Sequence, residues 1–197
     1  MADAFAPIRA ALARPGRPSS DYDLNPGIAL PEGRQLRAAG VLVAFEERPE
    51  GLSLLLTKRA SHLRHHPGQI AFPGGKVDPE DADPIAAALR EAREEVALDP
   101  ANVEVLGVME PHETVTSYVV TPVLARIRAP FRPIPEAGEV AEVFSVPLRH
   151  VTDPARYSIE GRRWLGTTRR YYTVPFGPYY IWGATARILR SLADRMT

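Results

Sequence analysis

The chain has no cysteine among its 197 residues. Disulfides, thiolate metal sites and covalent cysteine catalysis are therefore excluded. It also lacks a charge of either sign, since 24 basic and 24 acidic residues give a formal net charge of zero. Nothing pulls it as a whole toward nucleic acid or an anionic membrane, so any phosphate recognition has to be local. No run approaches the ~20 apolar residues of a membrane helix, and the first residues lack the apolar core of a signal peptide. The expectation is a cytoplasmic protein with neither a nucleic-acid nor a membrane partner. Internal repeats and low-complexity tracts are missing too, apart from an Ala/Pro/Arg bias.

A hydrophobic fraction of 45% supplies core enough for one compact domain, with little room for a second. Residues 1–35 read as a short helix, Ala2 to Ala13, with Phe5, Ile8 and Leu12 on one side, followed by an extended Pro/Gly/Ser/Asp-rich arm from Pro15 to Gln35. Arg9 and Arg14 faintly suggest a targeting peptide, against which Asp3 and the short length argue. Residues 36–197 form the domain proper.

Within it, Ala38 to Phe45 and Leu52 to Thr57 read as a hairpin with Glu46 to Gly51 as its turn. Val103 to Met109, Val119 to Ile127 and Val143 to Val146 have strand composition, with Thr114 to Tyr118 as a polar junction. Tyr157 to Trp164 and Arg169 to Phe176 read as a second hairpin carrying Arg162, Arg163, Arg169, Arg170 and several aromatics. These suit either a stacked base with an arginine on a phosphate or plain amphipathic strands. Ile181 to Met196 closes the chain as a packing helix.

The chain is organised around Phe72 to Leu98, FPGGKVDPEDADPIAAALREAREEVAL. Asp83-Pro84 reads as an N-cap followed by proline at the first helical position, and the helix runs to about Leu98. Ile85, Leu89, Ala92 and Val96 form an apolar stripe, while Glu91, Glu94 and Glu95 gather on another side. Taken alone, such a run is an ordinary solvated face with Arg90 paired i to i+4 with Glu94. A hard divalent cation would equally relieve the crowding of carboxylates. Before it, Ile70 to Phe72 reads as a strand that closes through Pro73 into a tight turn at Gly74-Gly75, able to expose a carbonyl to a metal. The loop Ser61 to Gly68 carries three histidines and suits either a polar connection or, less simply, a metal.

These residues resemble a known family. Gly75, Asp81, Arg90 to Glu95 and Leu98 are similar to the Nudix box, G-x5-E-x7-R-E-U-x-E-E-x-G-U, where U is bulky and apolar. There are four departures: Asp81 replaces the first Glu, the spacer to Arg90 is one residue longer, Ala92 fills a U position and Ala97 replaces the last Gly. Just upstream, Leu55-Leu56-Thr57-Lys58-Arg59-Ala60, Arg64, Gly68 and Phe72-Pro73-Gly74-Gly75 match L-L-T-x-R-[S/A]-x3-R-x3-G-x3-F-P-G-G at every specified position. That pattern resembles the coenzyme A pyrophosphatase branch.

The resemblance implies an α/β/α Nudix sandwich with a mixed β-sheet and a Mg²⁺- or Mn²⁺-dependent attack of water on a diphosphate. Coenzyme A or a derivative would yield 3′,5′-ADP and 4′-phosphopantetheine or its acyl form. Glu91, Glu94 and Glu95 are the candidate metal ligands, joined by the Gly75 carbonyl; one of the three carboxylates can instead serve as base or hold Arg90. Arg59, Arg64 and Gln69 are candidates for the diphosphate, with pairing of the arginines to helix glutamates as the alternative. Glu139, then Glu142, is the candidate for a further carboxylate from a late loop, where a surface charge is the other reading. Another nucleoside diphosphate derivative, such as ADP-ribose or a dinucleotide, is the second substrate class, and a catalytically silent nucleotide-binding module the third reading. A homodimer is compatible with the family.

Overall fold

A computed structural model describes residues 3–28, 30, 33–164 and 166–197, with the side chain of Trp164 outside the description. Its centre is a strand buried on both faces. β2 (Arg37–Arg48) directs Leu42 and Ala44 to one side and Val43 and Phe45 to the other, as the two-residue period of a strand requires, and all four are at most 1% exposed. It pairs in parallel with β8 (Tyr118–Ile127) and antiparallel with β3 (Gly51–Arg59). The sheet is therefore mixed.

Among the described residues the sheet has nine strands, in the order β1-β7-β8-β2-β3-β4 with three strands off that path. β1 is Ser19–Ser20, β4 Ile70–Ala71, β5 Gly74–Lys76, β6 Val103–Val108, β7 His112–Glu113 and β9 Val140–Pro147. β5 lies on β2, β6 on β8 and β9 on β3. A separate hairpin, β10 (Ser158–Trp164) with β11 (Thr167–Thr173), stands beside it.

One sheet face is covered by α2 (Pro84–Val96), whose Ala88, Ala92 and Val96 pack with Leu42, Ala44, Leu55, Val123 and Ala125. The opposite face is covered by α1 (Ala6–Ala13) and α4 (Gly183–Met196), which bring Phe5, Ile8, Ile188, Leu189 and Leu192 against Val43, Phe45, Leu54, Leu56 and Leu124. A short α3 (Leu148–Val151) follows β9. Helix, sheet and helix form the expected α/β/α sandwich, and no described helix is long and apolar enough to cross a membrane.

α2 begins as its sequence dictates: the Asp83 carboxylate accepts from Ala86 N at 2.8 Å, and Pro84 occupies the first turn. Its approach to the sheet requires Gly40, because a Cβ there would overlap the Pro84 carbonyl. It ends one residue beyond Val96, where Ala97 sits in the left-handed region at φ 57°, ψ 31°.

Several boundaries differ from expectation. The first hairpin has a tight turn at Pro49 and Glu50, since the ladder continues to Arg48↔Gly51 and absorbs most of the expected turn. The Gly74-Gly75 turn is itself strand, paired as Gly74↔Val41, Gly75↔Gly40 and Lys76↔Ala39, because two residues without side chains can lie flat against β2 beneath α2. Described α1 starts at Ala6, and the expected start at Ala2 lies outside the described residues. The arm is more than a surface cover. Its β1 pairs in parallel with β7, and Ser19 and Asp21 hold the fully buried His112, Ser19 Oγ at 2.9 Å from Nδ1 and Asp21 Oδ1 at 3.1 Å from Nε2.

Candidate active site

The glycine strand and the carboxylate helix form one unit. Gly74 N–H donates to Glu95 Oε2 at 3.2 Å, and Gly75 lies so close to Glu91 that a Cβ there would overlap its carboxylate. Glu95 is only 5% exposed, an unusual place for a charge. Burial, reinforced by the charges of Glu91 and Glu139, pushes its carboxyl up to about 7, against the opposing pull of the Gly74 N–H and Arg59. Glu91 is also raised, first by burial and then by Glu94 and Glu139, although Arg90 draws it the other way. Four carboxylates from two segments, Glu91, Glu94 and Glu95 on α2 and Glu139 before β9, thus share one electrostatic field.

Arg90 organises the acidic loop. Its Nη2 and Nε reach Asp81 at 2.9 and 3.1 Å, Nη2 reaches the Lys76 carbonyl at 3.2 Å, and Nη1 reaches Glu91 and Glu94 at 3.0 Å each. This fork lowers the Asp81 carboxyl and raises the guanidinium further above its ordinary range. Asp81 also accepts from Asp78 N at 2.9 Å while Asp81 N donates to the Asp78 carbonyl at 3.0 Å. The shorter Asp and the longer spacer therefore close a local turn that presents a carboxylate to Arg90, and Asp81 has a positioning place in the structure.

The other candidates are distributed around this unit. Glu139 is exposed at the end of the loop before β9; its carbonyl accepts from Ala60 N at 2.8 Å, and its charge acts on both Glu91 and Glu95. The same loop is tied to α2 through Glu136 N to the Glu95 carbonyl at 2.9 Å. Glu142 is occupied elsewhere, accepting from the Tyr179 hydroxyl, whose ring stacks on Phe144 at 3.5 Å. Of the two late carboxylates, only Glu139 adjoins the helix pair.

Arg59 closes onto Gln69, Arg59 N donating to the Gln69 carbonyl at 2.9 Å and Gly68 N to the Arg59 carbonyl at 3.1 Å. Among the described residues neither Arg59 nor Arg64 forms an ion pair with a helix glutamate, contrary to the alternative reading, and Arg59 Nε is buried without a partner. The Gln69 side chain, in turn, adjoins Gly183 at the start of α4. Of the loop histidines, His62 Nε2 lies 3.1 Å from the Gly138 carbonyl, and His66 is lowered chiefly by burial and by Arg59.

Among the described residues no three His, Asp or Glu side chains close on a single ion-binding point, Glu91 and Glu94 being turned onto Arg90. The donor chemistry nonetheless fits a hard divalent cation, which takes oxygen ligands and would offset both the burial and the repulsion that raise Glu91 and Glu95. Two features could not be read from the sequence. The Gly40 contact with α2 and the capture of Glu142 by Tyr179 both join positions far apart in the chain.

Residues 34–165 match the family model described as the NUDIX domain. The chain is 47% identical over 157 residues to the uncharacterized Nudix hydrolase NudL of Enterobacter sp. (strain 638), spanning 80% of this chain and 81% of that protein. It is 46% identical to the uncharacterized Nudix hydrolase NudL of Escherichia coli (strain K12), over the same shares of both chains. Among solved structures, a MutT/nudix family protein from Enterococcus faecalis aligns with TM-score 0.54 at 19% identity, covering 85% of this chain and 64% of that one. The NUDIX domain of Shewanella oneidensis NrtR, solved with ADP ribose, aligns with TM-score 0.52 at 17% identity, covering 88% and 93%. At those identities the structures speak for the fold alone.

The chain thus belongs to the Nudix hydrolase family. As such it is an enzyme, a hydrolase, of a family whose members generally need a divalent cation.

Proposed function

We propose that this enzyme hydrolyses the diphosphate bond of coenzyme A and its derivatives to 3′,5′-ADP and 4′-phosphopantetheine or its acyl form, using Mg²⁺ or Mn²⁺. The observation that carries the reading is the placement of the upstream motif. Arg59, Gly68, Gln69 and Phe72 to Gly75 fold as the end of β3, a closed loop, β4 and β5, which delivers Gly74 to Glu95 and, among the described residues, leaves Arg59 Nε buried without a hydrogen-bond partner. A guanidinium held beside clustered carboxylates suits a substrate that brings its own phosphate oxygens.

Glu91, Glu94 and Glu95, with the Gly75 carbonyl, would hold the cation. When bound it polarises phosphoryl oxygens and lowers the pKa of its water. Arg59 and Arg64 take diphosphate oxygens, and Gln69 borders the substrate on the α4 side. Glu139 reaches in from the loop before β9 to receive the proton of the attacking water. The water oxygen forms the new bond to phosphorus, the bridging P–O bond breaks, and the departing phosphate carries away the bond pair. Arg90 holds Asp81 and Glu91 in place for this reaction without touching substrate.

The test is a product assay with coenzyme A and Mg²⁺ or Mn²⁺, repeated with chelator. The expected result is metal-dependent 3′,5′-ADP and 4′-phosphopantetheine. Cleavage of ADP-ribose or a dinucleotide with kcat/KM well above that of coenzyme A would overturn the substrate assignment.

A further inference from the structure

The β10–β11 hairpin contributes nothing to the chemistry described above, and its charge arrangement is unfavourable as it stands. The ladder opposes Arg162 directly to Arg169. Like charges at opposed positions destabilise a strand pair, and an anion between or beside them would relieve it. The one carboxylate on the same face, Glu160, already accepts from the Tyr180 hydroxyl at 2.7 Å. Among the described residues neither arginine has a carboxylate partner, and Arg169 Nε is buried with no hydrogen bond at all.

The same face continues into aromatic surface. Alternate residues along a strand return to one side, so Glu160, Arg162, Arg169 and Tyr171 share it, whereas Arg163 and Arg170 lie on the reverse. The Tyr171 ring lies 5.0 Å from that of Trp182, with Tyr180 6.5 Å beyond it. On the reverse face only the Tyr172 end packs on α4, its ring lying 5.7 and 5.8 Å from the Arg187 and Arg190 guanidinium carbons, while Ile159, Arg163 and Arg170 are exposed. The hairpin is also held in place. The Asn25 side chain bonds the Arg170 backbone through N–H at 2.8 Å and carbonyl at 2.9 Å.

This surface leads through Trp182 toward Gln69, one of the candidate diphosphate residues. Trp182 precedes Gly183, which abuts the Gln69 side chain, and Thr185 Oγ1 donates to the Ile70 carbonyl at 3.0 Å. An arginine pair next to half-buried Tyr171 and Trp182 and exposed Tyr180 complements a phosphorylated nucleoside: two forks for a dianionic phosphomonoester and a ring for its base.

We propose that this hairpin face binds the phosphorylated nucleoside end of the substrate, Arg162 and Arg169 clamping a terminal phosphomonoester and Tyr171 offering its ring to the base. The inference rests on the coenzyme A reading, whose adenosine carries such a 3′-phosphate, and it assigns specificity to residues outside the carboxylate helix. Its test is calorimetric binding of 3′,5′-ADP and of 5′-AMP, which requires no turnover. The wild-type chain should bind 3′,5′-ADP roughly 10- to 100-fold more tightly than 5′-AMP, as charge-assisted hydrogen bonds to one phosphate would give. Arg169→Ala and Arg162→Ala should each bring that ratio toward one, while Arg163→Ala, on the reverse face, keeps it.

A wild-type ratio near one overturns the proposal. So does a ratio retained in Arg162→Ala, which is exposed and decides the matter even if Arg169→Ala fails to fold, or an equal collapse in Arg163→Ala, which would mark a general charge effect. Coenzyme A cleavage is scored separately. Cleavage with no 3′-phosphate preference refutes the hairpin site and leaves the reaction standing, whereas preference without cleavage does the reverse.

Discussion

Replacing Glu95 with Gln should abolish turnover and yet stabilise the cation-free protein at alkaline pH. The side chain is 5% exposed and its carboxyl is pushed up to about 7, against about 4.3 for an ordinary glutamate. A carboxyl raised that far carries a penalty of roughly 3 to 4 kcal/mol when ionised, an upper figure because the site can relax and admit water. The native state binds the Glu95 proton between pH 4.3 and 7 while the unfolded chain has released it. Stability from this group is therefore fully present below about pH 4.3, falls as pH rises through that window, and is lost above 7.

Gln keeps an acceptor for the Gly74 N–H and turns an uncharged amide toward Glu91 and Glu139. Urea unfolding in chelator at pH 4.5 and pH 8 is the assay. The variant should match wild type at the lower pH and exceed it by roughly 2 to 3 kcal/mol at the higher. Millimolar Mg²⁺ should then restore much of the wild-type deficit and little in the variant, by mass action on a site that has lost a ligand. A variant no more stable than wild type at pH 8 would refute the account of Glu95 as a charge held at a cost for the cation; retained turnover would refute its place in the site.

Other outcomes follow from particular contacts. Ala97→Gly should raise stability by about 0.5 kcal/mol in urea melts, since the left-handed conformation at φ 57° costs an alanine more than the extra unfolded-state freedom costs a glycine. Gly75→Ala should lower kcat by about 100-fold with the fold intact by circular dichroism, because its methyl takes the space of the Glu91 carboxylate. Gly40→Ala should do worse, losing about 3 kcal/mol or the fold itself as α2 is forced off the sheet at Pro84. His112→Ala should lose roughly 2 to 3 kcal/mol and quicken proteolytic cleavage near residues 15–35, as Ser19 and Asp21 lose their shared partner.

Much of the sandwich was legible because its elements carry local signals. α2 announces itself through Asp83-Pro84 and an apolar stripe at helical spacing, and it forms at Pro84–Val96. β2 and β8 are readable as apolar runs because both their faces are buried. The carboxylates of α2 were legible for the same reason, since spacing alone places them together. What stayed hidden depends on pairing across distance. Nothing local tells that two glycines make a strand, that β1 in a polar arm finds β7, or that Tyr179 rather than the carboxylate helix claims Glu142. Glu139 closes the loop before β9, which Ala60 and Glu95 backbone bonds tie down, whereas Glu142 already lies in β9 opposite Lys58.

The meeting of α1 with α4 also bears on how the protein is made. Phe5 and Ile8 are covered by Ile188, Leu189 and Leu192, and Arg14 Nη1 donates to the Arg195 carbonyl at 2.6 Å. At synthesis rates of about 5–20 residues per second, roughly ten to forty seconds separate the emergence of these two helices from the ribosome. Through that interval the apolar stripe of α1 has no permanent neighbour, whereas α2 can settle on β2 and β3 as soon as they are out. The carboxylate helix is thus bedded early and the opposite layer is sealed last, which makes the nascent chain most open to chaperones on the face away from its chemistry.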